Sequence, residues 1–273
     1  GFRSVWKVHD AVQLGATFVN AHNDRSQSDR GGNPFKGKLT SGQLEDRINW
    51  ILVRISDDSP EDGIGGPTVF SRDIEIYTKI GDRDTVLVGS EIGFLPQVEG
   101  GLTRNGFPVA EGAGSEGEIT YRYNFSSLDP EVIALEDIVQ DADLVNNITG
   151  VKFRFLLNND YRVDVTSDVQ TDNEPLGAQS QFLNVARAED NVKDNSNQRW
   201  VVFDYGLPTA TQIFGFSLVV TDLAGFQVYG EYNINHQFRQ YPNLTRKAHR
   251  SSSGILGNGA ATGWMLNIAR NFH

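Results

Sequence analysis

The 273-residue chain has no cysteine. Disulfides, thiolate nucleophiles and cysteine-bound zinc are thereby excluded, while the compartment stays open. No apolar run reaches the roughly 18 residues of a membrane-spanning helix. Basic residues are in the minority, 24 against 35 acidic, for a net charge of −11. Such a surface repels phosphate backbones and anionic headgroups, which argues against nucleic acid and against simple adsorption to membranes. The one basic cluster, Arg246, Lys247, His249 and Arg250, lies in a polar stretch and reads most simply as solvated.

Recognisable catalytic motifs are also missing. There is no G-x-S-x-G elbow, and Gly112-Ala113-Gly114 has neither a Walker lysine nor a following helix. His9, His22, His236, His249 and His273 form no HxH or HExxH arrangement, so zinc has little support. The chain starts at Gly1 without a signal peptide, as a mature chain or an excised piece would.

What is present is β-forming. Val, Ile, Leu and 16 Phe dominate the apolar set, and 28 Gly suit many turns. Residues 1–20 alternate with a bend at Gly15, and 21–46 turn polar and glycine-rich. Residues 48–55 are almost continuously apolar, which predicts a strand buried on both faces. Strands are also expected at 69–78, 85–88, 118–125, 181–187, 199–205, 211–220, 226–238 and 264–272, with 96–117 as loop. A hairpin is expected from Val151 to Val165 around Asn158-Asn159-Asp160, residues that tolerate positive φ. The only helical pattern is 129–140, with Asp129 as cap and Pro130 at the first position.

These spacings predict an all-β fold: an antiparallel, jelly-roll-like β-sandwich with flanking strands and at most one short helix. The expected division is an N-terminal β segment and polar loop (1–44), a sandwich core (45–225) and a C-terminal β segment (226–273) that can pack with the first.

Four carboxylates in six residues, Asp57, Asp58, Glu61 and Asp62 before Gly63, suit calcium, which prefers clustered oxygens on a flexible loop. The spacing is not that of an EF-hand, and a solvated turn is the competing reading. Asp168, Asp172 and Glu174, and Asp190, Asn191 and Asp194, are further acidic stretches that could join it. Asp73 and Glu75 share one strand face roughly 6–7 Å apart, within the span of a glycosidase pair, although alternating acids usually mark a solvated face. Trp6, Trp50, Trp200 and Trp264 lie on expected strands; Trp50 and Trp200, with Tyr229 and Tyr232, are candidates for stacking on sugar rings, against core packing as the alternative.

Two phrases carry a resemblance. Trp50–Gly66 (a Trp-Ile-Leu-Val-Arg-Ile strand, then Ser-Asp-Asp-Ser-Pro-Glu-Asp-Gly) and Val151–Asp168 together resemble a β-sandwich domain, of the galactose-binding or jelly-roll kind, in large bacterial surface proteins. Gly15–Asn20 and Gly225–His236 resemble strands of outer-membrane β-structure. The resemblance implies an extracytoplasmic place, at the cell surface or outer membrane or secreted. It implies a non-catalytic module that binds carbohydrate, with structural calcium. A structural outer-membrane-associated domain without a small ligand is the alternative, and a polysaccharide-active enzyme the second alternative.

Overall fold

Period-two alternation of β-branched and aromatic residues buries one row of side chains and exposes the other. In the computed structural model, residues 1–22, 48–58, 62, 64–80, 83–128, 148–168, 182–241, 249–250 and 260–270 are described. They form β1 (Phe2–His9), β2 (Val12–His22), β3 (Trp50–Ser56), β4 (Val69–Ile80), β5 (Arg83–Val88), β6 (Gln97–Gly100), β7 (Leu102–Arg104), β8 (Phe107–Val109) and β9 (Glu118–Asn124). Then follow β10 (Ile148–Leu157), β11 (Arg162–Ser167), β12 (Leu183–Arg187), β13 (Arg199–Asp204), β14 (Leu207–Leu223), β15 (Phe226–Gln240), β16 (His249–Arg250) and β17 (Ala260–Arg270). Helical structure among these residues is limited to two single 3-10 turns, Gly114–Glu116 and Phe125–Ser127. The fold is therefore all-β. The pattern at 129–140 lies outside the described residues.

Two compact units divide the chain, Arg25–Leu207 with Gln240–Ala248, and Gly1–Asp24 with Pro208–Arg239 and His249–His273. The first is an antiparallel sandwich. One sheet runs β13-β10-β4-β5 and the other β12-β11-β3-β9-β6. Their inner faces meet through rings, Tyr121 on Phe155 at 5.5 Å and Tyr123 on Phe153 at 5.2 Å between centroids, while Phe203 lies beside Phe153 within one sheet at 5.2 Å. Such tilted and offset pairs add to the area these side chains bury. Burial pushes the Tyr121 and Tyr123 phenols far above their usual range.

Two expectations change here. Beyond the buried Ile48, residues 50–55 are buried on one side only: Ile51, Val53 and Ile55 are fully enclosed, while Trp50, Leu52 and Arg54 on the other side are half-buried. A two-layer sandwich gives each strand a single core face. Residues 96–117 are not simply loop; they hold β6, β7 and β8. Asn105 and Gly106 both have positive φ, 51° and 83°, the geometry of a two-residue hairpin turn between β7 and β8.

The second unit is one sheet, β1-β2-β14-β15-β16, with β17 also on β15. Residues 208–223 belong to it, so the units part at Leu207 and Pro208 and not at the 225/226 boundary expected from the sequence. That boundary falls instead in the β14–β15 turn, where Ala224 and Gly225 both have positive φ. β2 and β14 pair in register from Val12↔Val220 to His22↔Ala210, so residues 23–209 are a single insertion between neighbouring strands.

Candidate functional site

Among the described residues of the acidic segment after β3, Asp57, Asp58 and Asp62 are not grouped around one point. Asp57 is buried. Asp58 pairs with Arg187 at 3.1 Å, and Asp62 with the Lys193 Nζ at 2.5 Å while accepting the Ile64 N–H at 3.0 Å. These contacts hold the Asp62 carboxyl below its usual range, Lys193 contributing most. Glu61 lies outside the described residues, as do Asp172 and Glu174. Asp168 accepts the Asn49 backbone and side-chain N–H groups at 3.0 and 2.7 Å. Asp194 accepts the Ser196 N–H at 3.1 Å, a local turn contact. Its stretch meets the first through Lys193 and through asparagines. The side chains of His249 and Arg250, and residues Arg246 and Lys247, are not described.

A carboxylate that the spacing did not single out joins this region: Asp160, in the turn between β10 and β11. The turn is held by amides. Asn159 sits at φ 56°, and its Nδ2 donates to the Gly66 carbonyl at 3.2 Å and to Asn195 Oδ1 at 3.2 Å. Asn195 N–H donates to Asn159 Oδ1 at 2.8 Å, and Asn197 brackets the Asn159 backbone with bonds of 2.6 and 2.9 Å. Asn158 accepts the Thr68 N–H at 2.9 Å and donates to Asn195 at 2.6 Å. Asn and Asp suit this left-handed position because their short side chains satisfy the local backbone. Gly66 links the turn to the acidic segment: a Cβ there would stand 3.7 Å from the Asp57 Cβ and collide with the Ala110 carbonyl.

Next to it is a cleft of about 610 Å³ lined by Arg54, Asp57, Asp62, Arg162, Asp164 and the Gly112–Gly117 loop. Asp164 is almost wholly buried, yet completely paired. It meets Arg54 at 3.1 Å, Arg162 at 2.9 Å and the Asn184 amide at 2.9 Å.

Within each unit the two aromatic candidates do not share a face. Trp50 lies on the outer face of one sandwich sheet, under Arg122 at 4.5 Å. Trp200, 50% exposed, lies on the outer face of the opposite sheet, with Arg154 at 5.2 Å. Tyr229 and Tyr232 point to opposite sides of β15 by strand alternation. The Asp73 and Glu75 carboxylates are engaged structurally. Asp73 accepts from Ser90 N and Oγ at 3.0 and 2.6 Å. Glu75 accepts from Tyr77 at 2.9 Å and lies within 3.7 Å of Lys152 and 3.5 Å of Arg154.

The largest chemical contrast is between the two faces of the sheet containing β1, β2, β14, β15 and β17. One face carries Trp6, Leu14, Phe18, Phe214, Phe216, Leu218, Val228, Tyr232, Trp264, Leu266 and Ile268, in rows set by the pairings Phe18↔Phe214, Leu14↔Leu218 and Tyr232↔Trp264. Much of it is open: Phe216 is 56% exposed, Ile268 61% and Trp264 77%. The rows carry no charge between Val12 and Phe18, Phe214 and Val220, or Phe226 and Ile234; polar side chains appear at their ends, Asn20 and Gln212 at one and Asp222 and Arg270 at the other. The other face is mixed: polar and small residues, among them Gln13, Thr17, Ser217, Glu231, Asn233 and Asn267, alternate with Val5, Val19, Ile213, Val219 and Met265. Here Tyr229 and Asn233 donate to the two Glu231 oxygens at 2.8 and 2.9 Å. Asn233, then Tyr229, hold the Glu231 carboxyl below its usual range.

Among the described residues no helix is long and apolar enough to cross a membrane. Compared with protein-family models, with curated proteins and with solved structures, the chain has no match.

Proposed function

We propose that this is a structural protein of the bacterial outer membrane, in which the sheet of the second unit forms part of a lipid-facing β-wall and the sandwich is a domain inserted between two wall strands. The observation that carries this reading is the exposed, charge-free apolar face of that sheet, bounded by polar residues at both ends of its rows. Water penalises such a continuous surface by about 25 cal/mol per Å², and isolated exposed patches on water-soluble monomers are small. Acyl chains carry no such penalty.

Dimensions agree. A tilted strand crosses the hydrocarbon in about 9–11 residues. β2 and β17 have 11 residues, β15 has 15 and β14 has 17. The uncharged row from Phe226 to Ile234 rises about 26 Å at 3.3 Å per residue, close to the roughly 25 Å apolar band of membrane barrels. The mixed, hydrogen-bonded opposite face suits a hydrated interior. Six strands are fewer than the about eight of the smallest closed barrels, so closure takes further strands. The insertion leaves at His22 and returns at its partner Ala210, at one end of the β2–β14 pairing.

The reading predicts that the full chain, refolded with phosphatidylcholine vesicles, floats with them through a sucrose gradient and resists extraction by carbonate at pH about 11, which strips proteins held only by charge. Recovery of folded protein in the aqueous fraction would count against it.

A further inference from the structure

We infer that the sandwich binds a divalent cation of calcium's type between the Asp160 turn and the carboxylates of Asp57, Asp58 and Asp62. This site is independent of the membrane reading.

The inference begins with Asp160. Its side chain is 3% exposed, and its Oδ2 has no hydrogen-bond partner among the described residues. A buried carboxylate without a partner is costly, and one oxygen left unpaired is costly even when the group is protonated. The fold does resolve the same problem elsewhere. Asp164, equally buried and four residues on, receives two arginines and an amide. Around Asp160 the charges are of the wrong sign. Its carboxyl is pushed up to about 6, by burial first and then by Asp58 and Asp57, with Asp62 adding to them. Among the described residues the opposing cation is Lys193, and that ammonium is already bound to Asp62 at 2.5 Å.

The turn also cannot readily move away. The amides of Asn158, Asn159, Asn195 and Asn197 fix its backbone, and Gly66 ties it to the segment bearing Asp57. A rigid turn that presents an unsatisfied buried carboxylate to three other carboxylates is a cation site by charge and by chemistry. Calcium takes 6–8 oxygens, carboxylate and carbonyl, in flexible geometry, whereas thiol and imidazole ligands for softer metals are missing here. Among the described residues no three acidic or imidazole groups already stand at metal-holding separation. Binding therefore draws Asp58 from Arg187 or Asp62 from Lys193 toward Asp160 and Asp57. The exchange gives a role to the two ion pairs: they hold the outer carboxylates while no cation is bound.

The test is thermal unfolding of the full chain, first stripped with EDTA, with and without CaCl2, for the wild type and for Asp160→Asn. Calcium at about 100 times its dissociation constant is expected to raise the sandwich transition by about 5 °C or more. Asp160→Asn is expected to lose that rise, and to melt at or above the stripped wild type because a repelling charge is gone. No calcium-dependent rise in the wild type, or an equal rise in Asp160→Asn, overturns the inference. Should Asp160→Asn fail to fold, calorimetric titration of the wild type with CaCl2 decides, with one site per chain expected and no binding the contrary result. Failure here leaves vesicle flotation untouched, so the two readings fail separately.

Discussion

Tyr232 stands directly opposite Trp264 on β15 and β17, on the sheet face whose neighbours are Leu266, Ile268 and Val228. Two large aromatic side chains, 42% and 77% exposed, sit side by side where a water-soluble sheet would place polar residues. Adjacent positions on β17 separate the two environments, Leu266 on the apolar side and Asn267 on the mixed side.

Charging one face should therefore cost far more than charging the other. Leu266→Arg is expected to cost about 2–4 kcal/mol of stability in lipid vesicles, the depth-dependent range for arginine facing acyl chains. Asn267→Arg is expected to cost less than about 1 kcal/mol. Urea titration of both variants in phosphatidylcholine vesicles measures the difference. Equal, small effects would place both residues in water.

The sandwich core makes its own prediction. Phe153 is fully buried and packs on Tyr123, Phe155 and Phe203. Phe153→Ala should destabilise the sandwich by about 3–5 kcal/mol through lost burial and a cavity. Denaturant unfolding followed by near-ultraviolet circular dichroism reports it.

At the β10–β11 turn, Asn159 combines a left-handed backbone with a hydrogen-bonded side chain. Asn159→Ala should cost about 2–4 kcal/mol, since both are lost. Asn159→Gly, which keeps the backbone, should cost less. A ranking in the other order, measured by denaturant midpoints, would remove the turn geometry from the account.

Stability should depend on pH in opposite senses with and without calcium. Asp160 is raised to about 6 from an ordinary value of 3.8. In the absence of metal, the folded protein holds this proton more tightly than the unfolded chain does. Its contribution is full below the unfolded value and is lost as pH rises through about 6. The groups that face it are Asp57, Asp58, Asp62 and Lys193. Calcium requires the ionised carboxylate, so the calcium-induced rise in melting temperature should shrink as pH falls from 7 to 5. Melting scans across that range, with and without CaCl2, give the two slopes.

Much of the fold was legible because alternation survives in single strands. Ile119, Tyr121 and Tyr123 on β9, and Val151, Phe153 and Phe155 on β10, mark their buried rows directly in the sequence. Asn158-Asn159-Asp160 announced its turn through residues that accept positive φ. The Asn105-Gly106 hairpin was obscured by the glycines around it. Sheet membership was less legible still: residues 208–223 alternate like any strand, and only the pairing of β14 with β2, about 200 residues earlier, assigns them to the second unit. The acidic segment 57–62 stood out by composition, but Asp160, which the burial singles out, lies about 100 residues away and is one acid beside two asparagines. Trp50 and Trp200 read alike in sequence and lie on opposite outer faces, because facing depends on which sheet each strand joins.

The central claim is that one face of the second unit meets lipid, and tryptophan position tests it most directly. Single-tryptophan variants retaining Trp6, Trp264, Trp50 or Trp200, the others replaced by Phe, would be refolded with phosphatidylcholine vesicles whose acyl chains carry bromine. The account predicts strong quenching of Trp264 and Trp6 fluorescence, and no quenching of Trp50 or Trp200 in the inserted sandwich. Equal and negligible quenching of all four would contradict it.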